Sequence, residues 1–524
     1  MKTLLLPQIM IAGRINSFFL FILICLLTSL NLRASESFVS GEALIKLKDP
    51  AKAETFAENF ASKNIRIIKR LGNTSWFLAS VPKNASLESE IAGLLENEAV
   101  LDAQPNYTYH LLAQPNDPIF TAGSLYGLNI ISAPAAWDIT TGSPSVVVAV
   151  SDTGIRYTHE DLSANIWTNP GEVPGNGIDD DGNGFIDDYY GWDFFFNDSD
   201  PFDENGHGTH TAGTIGAVGN NALGVVGVNW LIKLMAIKIY NSSGTGTTSA
   251  MLVSAYDYVR MMRQRGINIR VTNNSYGGCD EACGYDKATR EAIDSMGDAG
   301  ILNVFAAGNA GNDIDSAPFY PASYTSPSII SVAASNQSDT RAGFSNWGKN
   351  SVDLAAPGVS IQSTWYSGNS SYTALSGTSM ATPHVTGAAA LLAAYKPELS
   401  AASLKASLLN NVDLLPVWTN LVLSGGRLNV LKALNNSVNC TLELGASEIK
   451  LNLKGGYKSV EVDTQPGCDY SIRSTANWIF PEKDVLSGTS KVIFRVGSSQ
   501  VFSRTGTIRI GDKTLTVIQT RWGL

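Results

Sequence analysis

The sequence predicts an α/β protein: a doubly wound parallel sheet over residues 114–436, preceded by a small ferredoxin-like α+β unit and followed by an all-β sandwich. Three observations predict it. Residues 145–151, 234–239 and 301–307 are largely apolar runs, as strands covered on both faces require, and 271–275 reads as a further strand between them. Helical stretches at 249–265 and 285–300 lie between them, which gives the βαβ rhythm of a parallel sheet. From Cys440 onward the rhythm changes to short alternating strands at 449–453, 459–462, 491–496, 505–510 and 514–518, the pattern of a small sandwich. A chain of 524 residues with 44% hydrophobic content can fill several such cores.

Taken in order, residues 1–34 read as an export signal. Lys2 and Arg14 precede an apolar run over 18–30, and Ala34 is a suitable cleavage position. The run is shorter than the ~20 residues of a typical spanning helix; a retained membrane anchor is the competing reading. Residues 35–113 alternate strand-like stretches (43–48, 75–81, 100–106) with helical ones (51–63, 86–95). The expected order is strand-helix-strand-strand-helix-strand. The sheet domain then spans 114–436 and the sandwich 437–524. Without Cys25, which goes with the signal, four cysteines remain. In an exported chain an even number favours disulfides, Cys279 with Cys283 and Cys440 with Cys468. The second would close a loop of about 28 residues, worth roughly 3–4 kcal/mol in the chain-entropy model. Zinc is the weaker alternative, since no histidine stands at ligand spacing from either pair.

The net charge of −10 argues against nucleic acid as partner, since phosphate binding needs a concentrated cationic face. The chemistry lies in three separated segments. Asp152 ends the strand Val147-Val-Ala-Val-Ser-Asp152-Thr-Gly154. His207 sits in Asn205-Gly-His207-Gly-Thr-His210-Thr-Ala-Gly213. Ser379 opens an Ala-rich helix in Ser376-Gly-Thr-Ser379-Met-Ala-Thr-Pro383-His384. A serine hydroxyl attacks at neutral pH only if an imidazole takes its proton, and a carboxylate must hold that imidazole in one tautomer. These residues in the order Asp, His, Ser point to a serine-nucleophile hydrolase.

In these motifs the chain resembles the subtilisin family of serine proteases, the subtilases, over residues 114 to 436. The resemblance implies a subtilisin-like catalytic domain and an acyl-enzyme serine endopeptidase acting on polypeptides. It implies Asp152, His207 and Ser379 as the triad and Asn309, in Ala-Gly-Asn309-Ala, as donor to the oxyanion. It makes Ser275, Tyr276, Gly277 and Gly278 the edge that takes an extended peptide as an added strand. Ala310, Phe319 and Tyr320 then border the pocket for the residue before the scissile bond. Ala310 offers no charge there, so apolar or aromatic residues are expected, and Phe319 would narrow the space. Residues 35–113 resemble the family's propeptide, an intramolecular inhibitor and folding chaperone, which implies a secreted zymogen that processes itself. A permanent N-terminal domain is the alternative.

Between Asp152 and His207, residues 176–188 carry oxygen donors at alternating positions with glycine at the sixth, like the start of an EF-hand loop. Asp179, Asp181, Asn183, the Phe185 carbonyl, and Asp187 or Asp188 would form the shell. Tyr190 at the twelfth position departs from the full motif. Acidic inserts of this kind in subtilases imply structural calcium, with no metal in the catalysis; a solvated acidic turn is the plain alternative. Residues 467–471, 477–479, 503–508 and 516–520 resemble the BACON type of bacterial surface domain, which implies glycan or glycoprotein binding. The enzyme is expected to be a monomer. Two other functions compete: a binding protein on a protease scaffold, and a non-proteolytic acyl hydrolase. The second lacks the Gly-x-Ser-x-Gly elbow.

Overall fold

The computed structural model describes residues 38–60, 64–82, 86–108, 114–278, 284 and 286–521. The segment read as an export signal, Cys279 and Cys283 lie outside the described residues. The chain divides into two compact units, residues 1–111 and 112–524.

The first unit contains β1 (Phe38–Leu47), α1 (Ala53–Phe60), β2 (Arg66–Arg70), β3 (Trp76–Ser80), α2 (Leu87–Leu95) and β4 (Val100–Tyr107). The antiparallel sheet has the order β2-β3-β1-β4. The period of two in β1 sends Ala43, Ile45 and Leu47 inward, where they pack with Phe77, Ala79 and the helix residues Phe56, Phe60 and Leu94. Strand β2 is the one that the sequence did not place. Its Arg-Ile-Ile-Lys-Arg run sits at a sheet edge and stays largely exposed, so it has no inward alternation to read.

The second unit begins with three short helices, α3 (Pro118–Thr121), α4 (Tyr126–Ile130) and α5 (Ala133–Trp137). Its nine-stranded sheet is built from β5 (Gly142–Asp152), β6 (Gly191–Asp193), β7 (Leu231–Lys238), β8 (Ile269–Asn274), β9 (Leu302–Ala306), β10 (Ile329–Ser335), β11 (Leu354–Pro357), β14 (Asp413–Leu414) and β15 (Gly426–Arg427). The order is β14-β15-β11-β10-β9-β8-β5-β7-β6, parallel except for β14. Helices α6 (His207–Gly216), α7 (Ser249–Gln264), α8 (Lys287–Asp298), α9 (Thr378–Tyr395), α10 (Ala401–Asn410) and α11 (Val430–Asn435) complete it, with a hairpin of β12 (Ile361–Trp365) and β13 (Ser371–Leu375).

Strand β5 shows why the sheet is doubly wound. Val146, Val148 and Val150 join one core with residues of α6 and α9, whereas Val147 and Ala149 join another with residues of α7 and α8. Each face of the sheet thus needs its own helical cover. Helix α9 is buried almost all round, which suits its Ala-rich sequence. Strands β10 and β11 extend the sheet beyond the four strands read from sequence.

Residues 443–520 form two further sheets of β16 (Glu443–Leu444), β17 (Glu448–Asn452), β18 (Gly456–Asp463), β19 (Asp469–Ser474), β20 (Ile479–Pro481), β21 (Val485–Ser487), β22 (Ser490–Val496), β23 (Ser503–Ile510) and β24 (Lys513–Thr520). Their orders are β16-β18-β22-β20 and β17-β24-β23-β19-β21. The inward residues of both, including Val460, Phe494, Ile508 and Val517, make one core. Cys440 and Cys468 are bonded, with Cα atoms 5.7 Å apart. Among the described residues no helix is long and apolar enough to cross a membrane.

Candidate active site

Asp152 is the last residue of β5 and is buried. Its Oδ1 accepts the Thr153 amide at 2.8 Å and faces His207 Nδ1 at 2.7 Å. His207 is the first residue of α6, and the local sequence accounts for that placement. Gly206 adopts φ 109°, in the left-handed region that glycine enters at no steric cost. A Cβ at Gly208 would lie 2.1 Å from the Gly154 carbonyl, so only glycine lets the helix start press onto the end of β5. Buried Asp203 then accepts the Asn205, Gly206 and Thr209 amides, all at 2.9 Å, and fixes the first turn. Burial alone would lower the pKa of His207. The Asp152 charge and hydrogen bond, helped by Asp203, outweigh it and hold the imidazole above its ordinary value.

Ser379 is the second residue of α9, at the positive end of the helix dipole. Its hydroxyl donates to the Ser275 carbonyl at 3.0 Å. Its own carbonyl accepts the Ser275 hydroxyl at 2.9 Å. Pro383, four residues on, has no N–H, and the Ser275 hydroxyl takes the hydrogen bond that the helix cannot supply. Asn309 follows the end of β9. Its Oδ1 accepts the Thr378 amide at 2.8 Å and the Thr378 hydroxyl at 2.9 Å, which leaves Nδ2 free to donate on the Gly377 side.

Asp152, His207, Asn309 and Ser379 line one cavity of about 370 Å³, together with Ser275, Tyr276, Gly277 and Phe319. Gly278, Ala310 and Tyr320 are outside this lining. The Ala310 amide donates to Asn346 Oδ1 at 3.1 Å, and Tyr320 lies against Tyr324 with centroids 4.7 Å apart. Tyr276 turns its hydroxyl inward to Tyr256 and Asn274. The Phe319 ring stands between the cavity walls. A Cβ at Gly277 would come within 2.3 Å of it, and one at Gly308 within 3.0 Å. Sequence reasoning did not assign Tyr240, Ser243 and Gly244, which also line the cavity. Their one legible signal is their position just past the carboxyl end of β7.

Two other histidines support the surroundings. His210 Nε2 donates to the Ile361 carbonyl and His384 Nδ1 to the Met380 carbonyl, both at 2.9 Å. Burial pushes each down to about 4, so both stay neutral at physiological pH.

In the acidic loop, carboxylate oxygens of Asp179, Asp181 and the upstream Glu172 lie within 4.8 Å of one another. An all-oxygen set of this kind suits a hard divalent cation. Asp187 and Asp188 are not in that trio, and Asp179 and Glu172 themselves also accept backbone amides. Asp187 accepts the Asn176 and Gly177 amides. Asp188 is buried, accepts from Tyr258, Asn169 and Asn183, and is raised to about 6 by burial. Asn183 donates to Asp181 at 3.3 Å, and the Phe185 ring packs on Tyr258 and Trp192.

The subtilase family matches residues 143–438. Among curated proteins, the chain is 39% identical to Thermitase of Thermoactinomyces vulgaris, over 61% of this chain and 98% of that one. It is 35% identical to Thermophilic serine proteinase of Bacillus sp. (strain AK1), over 68% of this chain and 79% of that one. A crystal structure of a cold adapted subtilisin-like serine proteinase is 31% identical and covers 56% of this chain and 92% of its own, with a TM-score of 0.41.

Proposed function

The chain belongs to the subtilase family of serine proteases, and from that premise we propose that it is an exported endopeptidase, made as a zymogen, in which Ser379 attacks the peptide carbonyl. In this reading the Ser379 hydroxyl swings from the Ser275 carbonyl to His207 Nε2, which takes its proton as Oγ bonds to the substrate carbon. Asp152 holds Nδ1–H and stabilises the imidazolium. The oxyanion receives the Asn309 Nδ2–H and the Ser379 backbone N–H; loss of such an amide in a subtilisin costs on the order of 10²–10³ in turnover. His207 then protonates the leaving amine, and water releases the acyl group by the reverse steps. The single observation that carries the reading is the 2.7 Å Asp152–His207 bond opening onto the cavity that Ser379 and Asn309 share.

Ser275, Tyr276, Gly277 and Gly278 take the substrate backbone as an added strand. Ala306, Gly308 and Phe319 offer no charge to the side chain before the scissile bond, which favours apolar residues. Residues 35–113 act as the removable inhibitor. Calcium is the structural ion, held by Glu172, Asp179 and Asp181, and its role is to neutralise these clustered carboxylates.

Purified protein should hydrolyse casein, and Ser379→Ala should lose at least about 10³-fold of that activity. Equal hydrolysis by both proteins would overturn the assignment of the nucleophile. No hydrolysis by either would favour a binding function.

A further inference from the structure

The sandwich lies outside the region matched to the subtilase family, yet it shares a compact unit with it. The contact is polar. The core of the sandwich has no residue in common with the three cores of the peptidase region. Helix α10 instead presents Ser403, Ser407 and Asn410, one face at intervals of four and three. These meet the Cys440 amide at 3.0 Å, the Val438 amide at 2.8 Å and the Pro466 carbonyl at 2.8 Å. On the same helix, Lys405 is only 5% exposed. Its Nζ lies 3.0 Å from Asp469 of β19 and 3.6 Å from Asp353, so a buried cation is shared between a carboxylate of the sandwich and one of the peptidase region. Cys468, beside Asp469, is bonded to Cys440, which fixes the start of β19 against α10. A second contact grips α8: Arg473 lies 3.1 Å from Asp294 and 2.8 Å from Asp298, and Arg290 lies 3.5 Å from Asp484. The Arg473 side chain is 39% exposed and that of Asp298 35%, against 6% for Lys405, so this outer contact is the wet one.

We propose that the sandwich is a docked brace of the peptidase unit, with Lys405 as a dry inner latch and Arg473 as a wet outer one, and not a module swinging on a tether. A surface ion pair is screened by salt, whereas a buried lysine between two carboxylates is screened far less and is costly to leave half-paired. The two latches therefore differ in salt response. The brace holds α8, the helix that joins the 275–278 edge to β9 and Asn309.

The test uses the full chain with Ser379→Ala, which removes self-digestion, and it reads no activity, so its outcome is independent of the protease assignment. Hydrogen exchange should show 403–410 and 469–473 protected alike at about 0.1 M and about 1 M salt, and 290–298 protected at about 0.1 M but less so at about 1 M. Asp469→Asn should deprotect 403–410 and lower the Tm by roughly 5 °C or more. Arg473→Ala should loosen 290–298 alone, with its effect shrinking toward zero at about 1 M salt. Exposure of 403–410 in the unvaried chain, or an Asp469→Asn protein indistinguishable from it, would overturn the proposal. If Asp469→Asn fails to fold, the salt series on the parent chain decides.

Discussion

At the residue scale, the pKa of His207 makes a directional prediction. The base works as the neutral ring, and Asp152 holds the folded pKa above the ordinary 6.5. Activity is therefore lost as pH falls through that raised value, and the acid limb of kcat/KM should centre above 6.5. Asp152→Asn should move the limb down and lower kcat by about 10⁴. A pH–rate profile checks both. The sign for stability is opposite: the protonated ring is favoured in the fold, so its contribution is present below about 6.5 and lost as pH rises through the folded value. Phe319 carries a second prediction. Its ring stands between Gly277 and Gly308, where a large side chain would need to enter. Phe319→Ala should raise the ratio of kcat/KM for Phe over Ala before the scissile bond by about tenfold or more, since a single methylene in such a pocket is worth 10-fold or more. Cleavage of a peptide library reads the ratio directly. Phe319 beside the pocket was expected from the family resemblance, whereas the pairing of Ser275 with Ser379 could not be read locally. Ser275 and Ser379 are 104 positions apart, and their bond exists because Pro383 lacks a proton.

At the scale of elements, the motif-bearing segments were the legible ones. The end of β5, the glycine-flanked start of α6 and the Ala-rich α9 each announce themselves by composition. Strands β10 and β11 did not, because Ile329–Ser335 mixes buried serines with small apolar residues and Leu354–Pro357 is only four long. The acidic loop shows the same limit. Alternating donors placed Asp179 and Asp181 together, but Glu172 reaches them from seven residues upstream, and Asp187 turns to cap backbone amides. If this loop holds calcium, a chelator should lower the Tm by several degrees, because an ion at about 100 times its Kd contributes about 2.7 kcal/mol. Glu172→Gln should shrink that chelator effect. Differential scanning calorimetry with and without EDTA measures both, and an unchanged Tm in the parent chain would count against the ion.

At the scale of the whole molecule, the N-terminal unit folds around its own core of Ile45, Phe56, Phe77 and Leu94. If the enzyme removes it autocatalytically, the Ser379→Ala protein should retain residues 35–113 while the active protein begins near residue 114. Mass spectrometry of the two purified proteins reads the difference, and equal processing would assign the cleavage to another protease.

The layered α/β plan, the three catalytic phrases and the alternation of the two flanking units are legible in the chain alone, because each of their parts is encoded within about ten consecutive residues by periodicity or turn chemistry. That Ser275 replaces the hydrogen bond lost at Pro383, that Glu172 joins the acidic cluster and that Lys405 bridges Asp353 to Asp469 emerges only once the chain is folded. Those contacts depend on which distant segments are brought within 3–4 Å of each other, a quantity set by packing the layers and carried by no local pattern.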